Sequence, residues 1–189
     1  MSIADNVASI RAQINEAAIA AGRNPKDILL CAATKMNDAA NVRQAIAAGV
    51  DCCGENRVQE LTAKLADNAY EGAPVHFIGH LQTNKVKQVV GKVDLIQSVD
   101  SMHLLEAIQK EAAKQGIVQD ILLEVNVGGE CSKSGFSVDE IYAIAPKKTE
   151  FPNVQVLGFM AIPPICHFSG ENDKFFQEMY NLSVDITAK

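Results

Sequence analysis

The sequence predicts an α/β fold in which parallel strands alternate with helices as a TIM-type (β/α) barrel, with one extra helix before the first strand. Four observations lead to this prediction. Short apolar runs recur along the chain, each is followed by a segment with helical spacing of apolar residues, and the connections are short. Polar residues also follow almost every predicted strand. A barrel gathers its site from nearly all its strands, whereas an open doubly wound sheet gathers it at one crevice.

The predicted elements follow one another regularly. The first helix is predicted over residues 3–21, where apolar residues recur every three or four positions until Gly22. Six strand and helix pairs follow, predicted at residues 28–34 with 38–48, 50–53 with 57–68, 75–78 with 83–90, 93–97 with 101–115, 119–127 with 137–145, and 154–160 with 171–187. No linker or low-complexity tract divides the chain, so residues 1–189 are predicted to form a single domain.

Lys35 follows the first predicted strand, at the edge where α/β folds keep their chemistry. Alternation along the strand places Cys31, Ala33 and Lys35 on one face, so small side chains lie beneath the lysine. If that face lines a barrel, a flat ligand fits there, and desolvation would lower the pKa of the amine and make it nucleophilic. The alternative is a solvated lysine that ends a strand, as most lysines are solvated.

The fifth predicted strand carries polar residues on one of its two faces. Glu124 and Asn126 share a face with Leu122, and the opposite, apolar face is formed by Ile121, Leu123, Val125 and Val127. Inside a small barrel, polar groups need hydrogen-bond partners or a polar ligand, because an unpaired buried polar group costs roughly 1–3 kcal/mol.

Composition excludes several classes of partner. The net charge of -6 and the absence of a long basic run argue against nucleic acid. The N-terminus has no secretory pattern, and no apolar stretch reaches the ~18 residues that span a bilayer. The chain is therefore expected to be cytoplasmic, with no membrane partner.

No metal site is predicted from the spacing of cysteines and histidines. The five cysteines, Cys31, Cys52, Cys53, Cys131 and Cys166, are expected to be free thiols. Cys52 and Cys53 are adjacent, so in a strand they face opposite sides and cannot bind one ion together. His76 and His80 are four residues apart, but on a strand and beyond its end rather than on a helix.

Ordered motifs, one in each β-α unit, resemble those of the pyridoxal phosphate homeostasis proteins. The Gly-His-Leu-Gln-Thr-Asn-Lys string at residues 79–85 is the most specific of them. The other motifs are Thr34-Lys35, Gly54-Glu55-Asn56, Ser98-Val99-Asp100-Ser101, Val125-Asn126-Val127, Ser132-Lys133-Ser134-Gly135, and Gly158-Phe159-Met160. The resemblance runs from the first helix to the end of the chain, and the family's fold resembles the barrel domain of bacterial alanine racemase.

This resemblance implies a cofactor and a set of residues that surround it. It implies a pyridoxal 5'-phosphate (PLP) aldimine on Lys35, with the cofactor contacted by Asn56, His80, Ser98, Asn126 and Met160. Members of the family are associated with binding PLP and balancing its supply, with no established turnover. PLP-dependent apoenzymes are implied as recipients of the cofactor, and the chain is expected to be a monomer.

A PLP-dependent racemase is the alternative function. Racemisation needs a second acid or base on the opposite face of the cofactor, because the proton leaves one side and returns on the other. In alanine racemase that group is a tyrosine from a further domain. Tyr70, Tyr142 and Tyr180 all fall on predicted helices or their ends, which favours the carrier.

The chain departs from the family pattern after its sixth unit. The family's seventh strand ends in a Ser-Met-Gly-Met-Ser type motif and its eighth bears Arg-x-Gly, and neither motif occurs before Lys189. Those segments bind the cofactor phosphate in the family, as loops after strands seven and eight do in many barrels. The barrel is therefore expected to lack its last two units and part of its phosphate site.

Overall fold

The computed structural model describes residues 2–130, 134–166, 168 and 170–188. Cys131, His167 and the Ser132-Lys133 part of one quoted motif lie outside these residues. The chain divides into two compact units, one ending at Ile78 and the other beginning at Gly79. The single domain expected over residues 1–189 stays a prediction. In the described part of the chain, no helix has both the length and the apolar character needed to cross a membrane.

The first unit alternates helices with parallel strands. Its elements are α1 (Ile3–Ala20), β1 (Cys31–Ala33), α2 (Ala39–Ala47), β2 (Cys52–Glu55), α3 (Val58–Ala66) and β3 (Val75–Phe77), with a 3-10 turn at Pro25–Asp27. β1 pairs with β2 and β2 with β3, both in parallel. The register sets Cys31 opposite Cys52, and Gly54 opposite His76.

The extra helix α1 packs at the beginning of the first strands. It begins at a capping box, in which the Ser2 hydroxyl accepts from the Asp5 N–H at 3.1 Å and the Asp5 carboxylate accepts from the Ser2 N–H at 2.9 Å. Arg11 of α1 forms an ion pair with Asp51, whose carboxylate also accepts the Leu30 N–H at 2.5 Å. These contacts fix α1 against the segments that lead into β1 and β2.

The second unit continues the same alternation. Its elements are a 3-10 helix at Thr83–Gln88, β4 (Leu95–Val99), α4 (Met102–Gln115), β5 (Gln119–Glu124), α5 (Val138–Ile144), a 3-10 segment at Ala145–Glu150, β6 (Val154–Met160) and α6 (Asp173–Thr187). β4 pairs with β5 and β5 with β6, again in parallel. Ser101 caps the start of α4, and Gly116 ends it with a left-handed φ of 68°.

Each unit buries its own apolar side chains. In the first unit the fully buried residues include Val42, Cys53, Leu61 and Phe77, and in the second Ile96, Leu104, Ile108, Ile121 and Ile141. The predicted alternation along the fifth strand is confirmed, because the residues of its predicted apolar face are buried, whereas Leu122, Glu124 and Asn126 on the other face are half-buried.

Several predicted elements differ from the structure in bounds or type. The fourth strand, predicted at 93–97, is Leu95–Val99, and the fifth, predicted at 119–127, ends at Glu124. The first strand is shorter than the predicted 28–34, because the Leu30 N–H is used by the Asp51 side chain and strand pairing begins only at Cys31. The helix predicted at 83–90 is a 3-10 helix instead. It has no side-chain cap, and Lys85 donates its N–H three residues back to Gln82, at 2.9 Å.

Candidate functional site

Lys35 and Asn56 lie at the carboxyl ends of neighbouring strands in the first unit. Lys35 follows β1 by two residues, and Asn56 follows β2 directly. Ala33 lies opposite Gly54 in the strand register. Lys35 and Asn56 are therefore each two residues beyond this paired position. Lys35 is exposed and Asn56 is half-buried. The first unit thus brings these two predicted site residues to one edge of its sheet.

The side-chain oxygen of Asn56 is suited to receive a ligand donor. This Oδ1 atom is buried and has no hydrogen-bond partner among the described residues. A buried acceptor left unpaired costs roughly 1–3 kcal/mol, so a ligand that donates an O–H or N–H here would remove that cost. This unpaired acceptor therefore indicates that a polar ligand binds at this edge.

The backbone on both sides of Lys35 is fixed by other elements. Thr34 donates its hydroxyl to Glu55 Oε1 at 2.6 Å, and its carbonyl accepts from Lys64 Nζ at 2.7 Å. Met36 donates its N–H to Glu60 Oε2 at 2.8 Å and has a left-handed φ of 62°. Because a left-handed conformation is rare for a residue with a side chain, these bonds define an unusual path for the chain at Lys35.

Glu55 is the centre of this network and is completely buried. Its Oε1 accepts from Thr34, from the ammonium of the buried Lys64, and from the Tyr70 hydroxyl at 3.0 Å. Burial, and then the Glu55 carboxylate, raises the pKa of the Tyr70 phenol, so Tyr70 stays a donor. A charged network buried under the strand end supports one conformation of the segment that carries Lys35.

Sequence reasoning missed Lys64 and gave Glu55 no role. The signal for Lys64 is its spacing, because Val58, Leu61 and Lys64 are the buried residues of α3 and recur every three positions. A lysine on the apolar face of a helix needs an anionic partner. Glu55, in a strand whose residues are all buried, is that partner.

The second unit places Ser98, Asn126 and Met160 toward the carboxyl ends of its strands. Ser98 lies near the end of β4, Asn126 follows β5 by two residues, and Met160 ends β6. The Val125 N–H donates to the Met160 carbonyl at 2.8 Å, which extends the pairing of β5 and β6 up to this edge. Parallel strands bring their carboxyl ends to one edge, so these three predicted site residues lie at the same side of the second unit.

Ser98 and His80 are each fixed by a hydrogen bond within the second unit. The buried Ser98 hydroxyl donates to the Gly79 carbonyl at 2.5 Å. His80 Nδ1 lies 2.9 Å from Asp100 Oδ2, and the imidazole is largely exposed. This contact orients the ring, because Nδ1 is the nitrogen that faces the Asp100 carboxylate.

The Asn126 amide organises the loop that follows β5. Its Nδ2 donates to the Glu130 carbonyl at 2.9 Å and its Oδ1 accepts the Glu130 N–H at 3.2 Å. Asn126 is therefore part of the scaffold of this edge as well as a predicted cofactor contact.

Glu124 ends β5 near this loop. Burial, and then the Asp100 carboxylate, raise the pKa of Glu124, and His80 lowers it to a smaller extent.

Comparison with known proteins places the chain in a family. A family model described as "Alanine racemase, N-terminal domain" matches residues 3–182. A pyridoxal phosphate homeostasis protein from Aquifex aeolicus is 38% identical over 98% of this chain and 82% of the relative. The protein of the same name from Escherichia coli K12 is 34% identical over 85% of this chain and 70% of the relative. This chain belongs to the pyridoxal phosphate homeostasis protein family. The predicted family is thereby confirmed.

Solved structures support the predicted fold. PipY from Synechococcus elongatus, in a structure with PLP bound, is 30% identical and superposes with a TM-score of 0.83, covering 99% of this chain and 82% of PipY. An alanine racemase from Clostridium difficile superposes with a TM-score of 0.69 at 14% identity, covering 96% of this chain and 47% of the racemase. The racemase likeness concerns the fold alone. The predicted α/β class, with the barrel-like arrangement of this homeostasis protein family, is confirmed.

Proposed function

We propose that this chain binds pyridoxal 5'-phosphate through a Schiff base on Lys35 and takes part in PLP homeostasis as a carrier. The observation that carries this proposal is the placement of an exposed lysine at the carboxyl end of β1. Its neighbours in the chain are fixed through their backbone, since the Thr34 carbonyl accepts from the buried Lys64 and the Met36 N–H donates to Glu60. Its support from outside the chain is the family, in which PipY has been solved with PLP bound.

The residues present fit such a cofactor. When bound, PLP supplies an aldehyde that condenses with an amine, and its ring carries a hydroxyl and a nitrogen that donate hydrogen bonds when protonated. The buried Oδ1 of Asn56, which has no partner among the described residues, would accept one such donor. We propose that His80, Ser98, Asn126 and Met160 also contact the cofactor.

The carrier is favoured over the racemase by the positions of the tyrosines. Tyr70 donates to Glu55, whose side chain lies on the face of β2 opposite to that of Gly54 and Asn56. Tyr142 donates to Asp185 of α6 at 2.8 Å, and Tyr180 is an exposed residue of the same helix. In the first unit Tyr70 is thus directed away from the face of Lys35 and Asn56, and the two described tyrosines of the second unit lie on helices, which favours the carrier over the second proton transfer that racemisation needs.

We extend the proposal to the recipients of the cofactor. A Schiff base exchanges with another amine, so Lys35 would release PLP to the active-site lysine of a PLP-dependent apoenzyme. We propose that the chain does this as a monomer in the cytoplasm.

Reductive trapping tests the Schiff base. Condensation of the Lys35 amine with the aldehyde releases water and forms a C=N bond, and borohydride adds hydride to that bond and makes the link permanent. We expect one pyridoxyl group per chain, mapped to Lys35 by peptide mass. Lys35→Ala should lose this adduct, and the exposed control Lys26→Ala should keep it. An adduct spread over surface lysines would contradict the assignment.

Isotope exchange tests the choice of carrier over enzyme. With L-alanine in deuterated water, we expect no inversion and no α-deuterium beyond the amount that free PLP produces. Stereoinversion that disappears in Lys35→Ala would favour the racemase instead.

A further inference from the structure

Three potential metal ligands converge on one face of the first unit. Cys31 of β1, Cys52 of β2 and His76 of β3 bring a sulfur, a sulfur and a ring nitrogen within 4.8 Å of one another. Cys31 and Cys52 are paired in register, so their side chains leave the sheet on the same side. His76 is paired with Gly54, two residues after Cys52, and therefore shares that side.

Gly54 leaves the space that this cluster occupies. A Cβ atom added at Gly54 would lie 3.0 Å from Cys31 Sγ and 2.6 Å from Ile78 Cδ1. A side chain at residue 54 would thus push against the sulfur of Cys31. The glycine permits the close approach of the three ligand atoms on adjoining strands.

We propose that Cys31, Cys52 and His76 form a binding site for a thiophilic divalent cation, specifically Zn²⁺, with a fourth position open to water or another ligand. Two thiolates and an imidazole are ligand types that zinc prefers, and three protein ligands leave one position of the tetrahedron open. Zn–S bonds of about 2.3 Å and Zn–N bonds of about 2.0 Å imply ligand separations of roughly 3.5–3.8 Å in a tetrahedron. Because the three atoms lie within 4.8 Å of one another, no pair needs to approach by more than about 1.3 Å.

This site is separate from the proposed Schiff base. Cys52 is buried and Cys31 and His76 are half-buried, while the exposed Lys35 lies beyond the end of β1. The cluster lies on the same face of the sheet as Lys35 and Asn56, but it shares no residue with them. Loss of the Schiff base in Lys35→Ala and loss of the metal in Cys31→Ser are therefore distinguishable outcomes. The linear spacing of cysteines and histidines does not reveal the cluster because its members come from three separate strands.

Cobalt titration of the reduced, metal-free protein tests the proposal. We expect one Co²⁺ per chain, with the thiolate-to-cobalt charge-transfer band and the intense visible bands of tetrahedral coordination, and displacement of Co²⁺ by Zn²⁺. Cys31→Ser, Cys52→Ser and His76→Gln should each weaken binding by more than the roughly 10–100-fold that loss of a supporting residue costs. Circular dichroism establishes that each variant is folded.

Three matched variants should leave the cobalt spectrum unchanged. Cys53→Ser changes the neighbouring thiol, which points to the other side of β2, and Cys166→Ser changes an exposed thiol. Lys35→Ala removes the proposed Schiff base and should retain the metal. A spectrum without thiolate bands, or one lost in Cys166→Ser and kept in Cys31→Ser, would overturn the proposal.

Alkylation of the unaltered protein gives a test that does not depend on the folding of variants. Zn²⁺ should slow the alkylation of Cys31 and Cys52 at least tenfold, measured by peptide mass, and should leave Cys166 reacting at its original rate. Equal rates for Cys31 with and without Zn²⁺ would reject the site.

Discussion

At the scale of single residues, the position of Lys35 depends on a buried ion pair that does not include it. Lys64 donates to the Thr34 carbonyl and forms an ion pair with Glu55, and both partners are buried. Removing one member of a buried pair leaves the other charge without compensation. The geometry at the end of β1 is therefore sensitive to a lysine that lies 29 residues further along the chain.

We predict that Lys64→Met lowers the free energy of unfolding by about 3–5 kcal/mol, the usual effect of breaking a buried pair from one side. The double variant Lys64→Met with Glu55→Gln should lose less stability than Lys64→Met alone, because no buried charge is then left unpaired. Urea unfolding measures the free energy of unfolding of the single and the double variant. Lys114→Met, at an exposed lysine 3.7 Å from Glu111, is the matched control and should change stability by less than about 0.5 kcal/mol. Equal losses at the two lysines would contradict the role given to Lys64.

The raised pKa of the Glu124 carboxyl leads us to expect that the stability of the unliganded protein depends on pH. Burial and the Asp100 carboxylate raise its pKa above the ordinary value of 4.5. The stability associated with protonated Glu124 is present at acid pH and is lost as pH rises through the folded-state pKa. Glu124→Gln stays neutral throughout. We therefore expect this variant to match the unaltered protein at acid pH and to become more stable than it toward neutral pH, in urea unfolding at several pH values.

Glu140 provides a control, because the pKa of its carboxyl is shifted in the direction opposite to that of Glu124. The Ser137 N–H, at 2.8 Å, and the Ser137 hydroxyl lower the pKa of its carboxyl. The stability from ionised Glu140 is present above its unfolded pKa and is lost as pH falls through the folded value. Glu140→Gln should thus be less stable than the unaltered protein at neutral pH, and this difference should disappear in acid. The same sign for both variants would refute the assignment of these two shifts.

At the scale of elements, periodicity predicted the order of strands and helices and their parallel pairing within each unit. It did not predict where pairing begins, because the start of β1 depends on Asp51 capturing the Leu30 N–H, a contact between distant residues. It also did not distinguish the 3-10 helix at Thr83–Gln88 from an α-helix, since a short segment has similar apolar spacing in either form.

The loop after β5 requires a glycine at one position, where the chain returns to the end of the strand. Gly135 has a φ of 118°, and a Cβ there would lie 2.8 Å from the Asn126 backbone nitrogen. Phe136 beside it exchanges two hydrogen bonds with Glu124 and Asn126, at 2.8 and 2.9 Å. The return of the chain to the end of β5 thus requires a residue without a side chain.

We predict that Gly135→Ala destabilises the protein by roughly 1–3 kcal/mol more than Gly129→Ala, through overpacking against backbone. Gly129 is the matched control because it also has a positive φ, of 61°, but nothing lies within 4 Å of an added Cβ. Both variants place a side chain at a positive φ, but 118° lies further from the allowed left-handed region than 61°, so the difference in urea unfolding reports the steric contact together with this added strain. Similar losses in the two variants would contradict the prediction.

At the scale of the whole molecule, the sequence motifs identified Lys35 and the residues proposed to surround the cofactor, but not the contacts that support them. The roles of Glu55 and Lys64 depend on α3 packing its third buried position against β2. The cluster of Cys31, Cys52 and His76 likewise depends on the register of three strands. Periodicity shows which face a residue occupies, whereas these contacts require the register between elements, which only the folded structure provides.

Ligand binding is expected to stabilise the whole fold, because a ligand that binds only the folded state shifts the unfolding equilibrium by mass action. At a free PLP concentration about 100 times its Kd, the gain is about 2.7 kcal/mol, which for a chain of this size corresponds to a rise in Tm of roughly 5–10 °C. Pyridoxamine 5'-phosphate is the matched ligand, because it keeps the ring and phosphate but has an amine in place of the aldehyde. We expect it to raise Tm less than PLP at equal concentration.

Lys35→Ala separates the covalent part of this stabilisation from the rest. Lys35 is exposed, so the variant without ligand should unfold within a few degrees of the unaltered protein, as surface substitutions usually change stability by no more than about 0.5 kcal/mol. The difference in Tm between PLP and pyridoxamine 5'-phosphate should disappear in this variant, because no amine remains at that position to condense with the aldehyde. A difference that persists in Lys35→Ala would mean that another group of the chain reacts with the aldehyde, and the proposed attachment point would be wrong.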